Sequence, residues 1–220
     1  YRFMKNLYLI CLLFIISACG TPTTEDRITF TQVDPFLKVF RESNFFPEYN
    51  ETEEVAAGEH ATFQFAVRAA LPLKELSAQV TAFTNEKGTQ LQSSPRTGFV
   101  DYVRVGRQTP DRAKDAITSL SHYYPDPIIE QNGQSVTRDV AQPIWISVPV
   151  PTNAEAETYK ATFSLKGKMG NQTFELKKEI SVKVYPIVMP QPDLWVTNWF
   201  GTSPDKMKIF NSGKEVEPYS

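Results

Sequence analysis

Thr158-Tyr159-Lys160-Ala161-Thr162-Phe163-Ser164-Leu165-Lys166 is the stretch from which the fold of this protein can be read. Tyr159, Ala161, Phe163 and Leu165 fall on one side of an extended chain, and Thr158, Lys160, Thr162, Ser164 and Lys166 on the other. A period of two with one apolar and one polar face is the signature of a half-buried β-strand. Thr173 to Tyr185 repeats it: Phe174, Leu176, Ile180, Val182 and Val184 alternate with Thr173, Glu175, Lys177, Glu179, Ser181 and Lys183. Lys178 is the single break in that apolar face, which marks a bulge or an edge. Between the two runs, Gly167-Lys168-Met169-Gly170-Asn171-Gln172 supplies residues that tolerate positive φ, so it reads as a hairpin connection.

The same alternation extends outward in both directions. Ala61 to Arg68 groups Phe63, Phe65 and Val67. Leu76 to Thr84 groups Leu76, Ala78, Val80 and Ala82. Ile144 to Val150 groups Ile144, Ile146, Val148 and Val150, and Gly98 to Arg107 and Ile28 to Val33 complete the set. Many short half-buried strands predict an all-β fold, an immunoglobulin-like antiparallel β-sandwich. Two stretches interrupt it. Asp34 to Glu54, with Asp34-Pro35 and Phe45-Phe46-Pro47, is expected as a long excursion with one helical turn around Phe36 to Phe40. Thr109 to Asp139, rich in Asp, Pro, Tyr and Asn, is expected as a second long loop.

Composition narrows the function. The 220 residues carry 23 Lys+Arg against 25 Asp+Glu, a formal charge of −2, so no global basic field exists for nucleic acid. Two Cys and two His leave almost no raw material for a structural zinc site, and neither a metal nor a cofactor is expected. A histidine-dependent catalytic triad would have to use His60 or His122. His60 follows Glu59 at a strand entry and reads as a surface residue.

The N-terminus reads as an address. Leu7 to Ile16 is an apolar run of about ten residues, short of the ~20 needed to span a bilayer, and it follows Lys5 as the h-region of a secretory signal does. Ile16-Ser17-Ala18-Cys19 resembles the bacterial lipobox, which implies cleavage before Cys19 and lipid on its thiol. Removing residues 1–18 takes away Arg2 and Lys5 and moves the charge from −2 to −4. Gly20 to Asp26 has no apolar face and reads as a tether. The expected organisation is a signal peptide over 1–19, a tether over 20–26, a sandwich over 27–190, and the start of another domain over 191–220. The expected location is the bacterial cell envelope, as an outer-membrane lipoprotein facing the periplasm or the surface.

Three segments then carry a family resemblance: Gly58-Glu59-His60-Ala61-Thr62-Phe63-Gln64-Phe65; Tyr124-Pro125-Asp126-Pro127-Ile128-Ile129; and Gln142-Pro143-Ile144-Trp145-Ile146-Ser147-Val148-Pro149, followed by Thr158-Tyr159. In this order and spacing the chain resembles the N-terminal β-sandwich of glycoside hydrolase family 123. Glu157 stands where the family pattern has a turn Gly. The resemblance implies a (β/α)₈ barrel after the sandwich, acting on β-linked N-acetylgalactosamine. It implies substrate-assisted catalysis: the 2-acetamido carbonyl attacks the anomeric carbon, an Asp orients that group, and an adjacent Glu protonates the leaving oxygen.

No Asp-Glu dipeptide occurs in the chain, so no catalytic residue is expected in it. A barrel needs about 250 residues, far more than follow Pro190. Asp193 to Gly201 resembles a first barrel strand, with Asn198 and Trp199 at its C-terminal end as substrate-proximal candidates. Tyr123, Tyr124 and Asp126 are expected as a loop at the interface with the barrel, and Trp145 as a packing or interface residue. The partners implied are the protein's own barrel, the membrane through lipid on Cys19, and a glycan, with no nucleic acid. A stand-alone carbohydrate-binding lipoprotein and a structural Ig-like module are the alternative readings.

Overall fold

A computed structural model describes residues 24, 27–105 and 123–190. The chain divides into two compact units, Tyr1–Met189 and Pro190–Ser220, and all the described strands belong to the first. Cys19, Asn198 and Trp199 lie outside the described residues, as do His122 and the tether apart from Thr24.

Ten strands form two five-stranded sheets. The first sheet contains β1 (Ile28–Val33), β3 (His60–Ala69), β8 (Gln142–Pro149), β5 (Arg96–Arg104) and β6 (Tyr123–Ile129), in that spatial order. The second contains β2 (Glu53–Ala57), β10 (Gln172–Val188), β9 (Thr158–Met169), β4 (Leu73–Val80) and β7 (Gln134–Val136). The sheets face each other across one apolar core, so the all-β sandwich read from the alternation is the fold. One ladder runs the other way: β2 pairs with β10 in parallel, and the second sheet is therefore mixed.

The core is built from the residues that the period of two selects. Phe63, Phe65, Val67, Ile144, Ile146, Val148, Phe163, Leu165 and Val182 are fully buried. Phe30 and Phe65 from the first sheet meet Phe163 from the second, with ring centroids 5.9 and 4.5 Å from it. This aromatic contact joins the two layers at centroid separations within the range of about 4.5–7 Å at which aromatic pairs interact.

Several expectations need correction. The hairpin connection is only Gly170-Asn171, with Met169 opposite Gln172. Gly170 at φ +63 holds the first central position, where a two-residue loop takes glycine. Gly167 instead lies inside β9. A Cβ there would stand 2.8 Å from Leu76 Cδ2 and 2.9 Å from Phe174 Cζ, so only glycine fits. β4 starts at Leu73 and carries an extra residue: Glu75, at φ +54, sits at a register shift that turns both Leu73 and Leu76 inward. The strand ends at Val80, after which the phase slips: Ala82 is exposed and Phe83 is buried.

The segment expected as a helical turn at Phe36 to Phe40 is not helical. Its backbone groups bond sideways rather than to each other. Leu37 O accepts from Gln64, Val39 O from Tyr102, and Phe40 N donates to Ser43 Oγ. The stretch expected as one loop from Thr109 contains β6 and β7. Pro125 and Pro127 conceal β6 in the sequence, yet at a sheet edge a missing N–H costs no ladder bond.

Candidate functional site

The two outer faces of the sandwich differ in chemistry. The second sheet presents cross-strand ion pairs: Lys160–Glu179 at 3.0 Å, Lys166–Glu175 at 3.3 Å, Lys168–Glu75 at 2.7 Å and Lys183–Glu54 at 2.9 Å. Such a face satisfies itself in water and offers a ligand little. The outer face of the first sheet also carries ion pairs, Arg68–Asp139 and Arg96–Glu130, but it presents Val100 and Trp145 as well, and the excursion after β1 lies across part of it.

That excursion is anchored by a second, smaller core of Val33, Val39, Phe46, Ala66 and Ala141. β3 is consequently buried on both faces, and Gln64 on its outer side is only 4% exposed. Gln64 Nε2 donates to Asp34 O at 2.9 Å and to Leu37 O at 3.0 Å, fixing the turn between them. Asp34 Oδ1 accepts from Phe36 N at 2.8 Å within the same turn. Tyr102 Oη lies 2.9 Å from Ala141 O and 3.1 Å from Val39 O. Burial pushes the Tyr102 phenol far above its usual range, so it remains a donor throughout the physiological span.

The anchored turn projects Phe36, 93% exposed, beside a groove of about 280 Å³. Val100 and Trp145 come from β5 and β8, Pro125, Asp126 and Ile128 from β6, and Lys38 from the excursion. Strand β6 shifts register against β5 between Val100 and Tyr102, which displaces Asp126 to the groove's rim. Trp145, on the polar side of an otherwise inward-facing strand, is half-buried here rather than in the core.

Of the residues expected as an interface loop, Tyr123 and Tyr124 open β6 and Asp126 follows in the same strand. The Arg41 guanidinium lies 4.5 Å from the Tyr123 ring centroid, and the Tyr124 ring meets Phe40 edge-on at 5.8 Å. They lie beside Arg104 of the first sheet, whereas Met189, the last residue of the first unit, donates its N–H to Ala57 O of β2 in the second sheet. The groove was not foreseen from the sequence. Phe36 is expected in a helical turn; Trp145, an aromatic on the solvent side of a strand, and Asp126, expected at an interface, are lining residues that the sequence singles out, but nothing in it brings them together.

A second depression collects Asp34, Tyr49, Glu51, Glu53, Glu54, Glu59 and His60. Glu59 Oε2 accepts from Ala56 N at 2.7 Å, and Glu54 is held by Tyr185 Oη at 2.7 Å and Lys183. Glu53 differs: its Oε1 is buried and unpartnered, and burial raises its pKa. His60 is exposed at the entry to β3, as its place in the sequence suggests.

The sequence model of the glycoside hydrolase 123 N-terminal domain matches residues 42–167, more than half of the chain. The chain belongs to this family. The match runs from the excursion into β9 and contains Val100, Asp126, Ile128 and Trp145 of the groove, while Phe36 and Lys38 precede it. A family 123 glycoside hydrolase from Clostridium perfringens, studied for glycolipid glycan hydrolysis, superposes with a TM-score of 0.60 at 14% identity, over 74% of this chain. The chain spans 28% of that hydrolase's length. The CooA pilin subunit of enterotoxigenic Escherichia coli matches 74% of this chain and 99% of its own at 13% identity, but its TM-score of 0.34 carries no argument. No curated protein matched the chain.

Proposed function

We propose that this chain is the non-catalytic N-terminal module of a lipid-anchored glycoside hydrolase that acts on N-acetylhexosamine glycans, β-N-acetylgalactosaminides first among them. The observation that carries the reading is the family match over residues 42–167 in a chain that spans 28% of the length of a related hydrolase. The sandwich supplies no adjacent Asp-Glu pair, so the chemistry belongs to a (β/α)₈ barrel that begins near Pro190. There the substrate's own acetamido group attacks the anomeric carbon, and two carboxyl groups orient it and protonate the leaving oxygen. Cys19 carries the lipid and places the module in the cell envelope, with its tether holding the fold off the membrane.

Two measurements test this. The 220-residue chain should not hydrolyse an aryl β-N-acetylgalactosaminide, while the protein extended through the barrel should. Turnover by the 220-residue chain that disappears on changing one of its own acids would defeat the module reading. Cys19→Ala should abolish uptake of labelled palmitate and release the protein from the membrane fraction. Continued labelling would show that Cys19 is not the anchor.

A further inference from the structure

The groove on the outer face of the first sheet holds polar groups that the protein leaves unused. Lys38 and Asp126 are exposed at its rim, and neither makes an ion pair or hydrogen bond among the described residues. The Trp145 indole N–H is likewise without a partner among them. Charges on the opposite face of the sandwich are paired across strands. Between the unused groups lie the Phe36 and Trp145 rings and the aliphatic Val100 and Ile128.

The Phe36 turn is also built to stay in place. Gln64, almost wholly buried, spends both amide hydrogens on its carbonyls, and the Asp34 carboxylate caps it from within. An aromatic ring held 93% exposed loses little further freedom when a ligand covers it. Two aromatic groups, two donors and one acceptor around one groove match a ligand with apolar C–H faces and many hydroxyls.

We propose that this groove is a carbohydrate-binding site for pyranose units of a glycan chain, separate from the hydrolytic site of the parent enzyme. Phe36 and Trp145 pack on the C–H faces of the sugar. Asp126 accepts from hydroxyl or acetamido hydrogens, and Lys38 and the Trp145 N–H donate to ring substituents. Apolar sites with a few placed polar groups have this composition, and about 280 Å³ lies just under the ~300 Å³ lower end of their range. The proposal goes beyond the module reading and does not need a barrel to be present.

The test titrates the 220-residue chain with N-acetylgalactosamine, galactose and a β-linked disaccharide of N-acetylhexosamine, to about 50 mM, a range that covers millimolar affinity. Binding is read by calorimetry and by tryptophan fluorescence. At least one of these sugars should bind saturably, with a fluorescence change that Trp145→Phe removes. Phe36→Ala and Asp126→Ala should each weaken binding about tenfold or more with the melting temperature unchanged, because both side chains are exposed. No saturation with any of the three sugars would overturn the proposal. So would equal affinity in the Phe36→Ala and Asp126→Ala proteins. A concentration-dependent dimer abolished by Phe36→Ala, without sugar binding, would assign the groove to a second copy instead. Because the readout is binding by the 220-residue chain, its failure leaves the hydrolase-module reading standing. Failure of that reading would leave a sugar site on a protein that hydrolyses nothing.

Discussion

Phe65 and Phe163 meet at 4.5 Å across the interior and are wholly buried, one from each sheet. Truncating either removes aromatic area and leaves a void that close-packed neighbours fill only in part. Phe65→Ala or Phe163→Ala should therefore cost about 3–5 kcal/mol, measured by urea unfolding. A loss under ~1 kcal/mol would show that these rings do not join the sheets. Glu53 offers the opposite case, a side chain whose environment opposes its charge. Burial raises its pKa, the nearby Asp34 and Glu51 add to the rise, and a hydrogen bond from Tyr49 works against it. The folded protein thus holds the Glu53 proton more tightly than the unfolded chain. Stability from this group is present below the unfolded glutamate value near ~4.3 and is lost as pH rises through the folded value. Glu53→Gln keeps an acceptor for Tyr49 and removes the charge, so it should raise the melting temperature near neutral pH. The advantage should vanish as pH falls below the ordinary glutamate range. A constant difference from acid to neutral pH would mean that Glu53 does not titrate differently on folding.

At the scale of the element, β10 shows how an exposed edge is kept from pairing. Residues 172–183 pair with β9, but β2 joins only from Val182 onward. From Gln172 to Ser181 the outer edge of β10 therefore faces no described strand. Lys178 lies in register opposite Phe163, on the inward side, and reaches Glu48 of the excursion at 3.4 Å. The break seen in the sequence is an edge and not a bulge. An inward-pointing lysine on a free edge is a known obstacle to strand addition. In a version ending at Pro190, Lys178→Val should cause concentration-dependent association, visible by light scattering, while leaving the monomer fold intact. A variant that stays monomeric at all concentrations would show that the edge is covered by other means.

At the scale of the whole molecule, one outer face is self-satisfied by ion pairs and the other carries the excursion, the second core and the groove. The expected apolar strand from Leu194 to Phe200 lies outside the described residues, and its consequence is testable by length. On the module reading, that stretch lacks its barrel neighbours in the 220-residue chain, which should self-associate, while a version ending at Pro190 should be monomeric. Size-exclusion chromatography of both decides this. A monomeric 220-residue chain with a protease-resistant tail would place Leu194 to Phe200 within the sandwich and move the expected boundary.

The period-two alternation by itself determined the all-β class, the β1 limits, and the inward residues of β3, β8, β9 and β10. One-sided burial forces alternate residues to be apolar, and that constraint is written locally along the chain. Three strands escaped it. β2 begins with two glutamates, β6 contains two prolines, and β7 is three residues long. Their places are set by partners far away in sequence, such as the parallel pairing of Val182 to Val188 with Glu53 to Ala57. The groove was illegible for the same reason. Phe36, Asp126, Ile128 and Trp145 carry no shared motif and are brought together by strand order and by the turn that buried Gln64 holds. Local periodicity fixes which face of a strand meets the core. Only the packed structure decides which strands become neighbours, and so which side chains share a site.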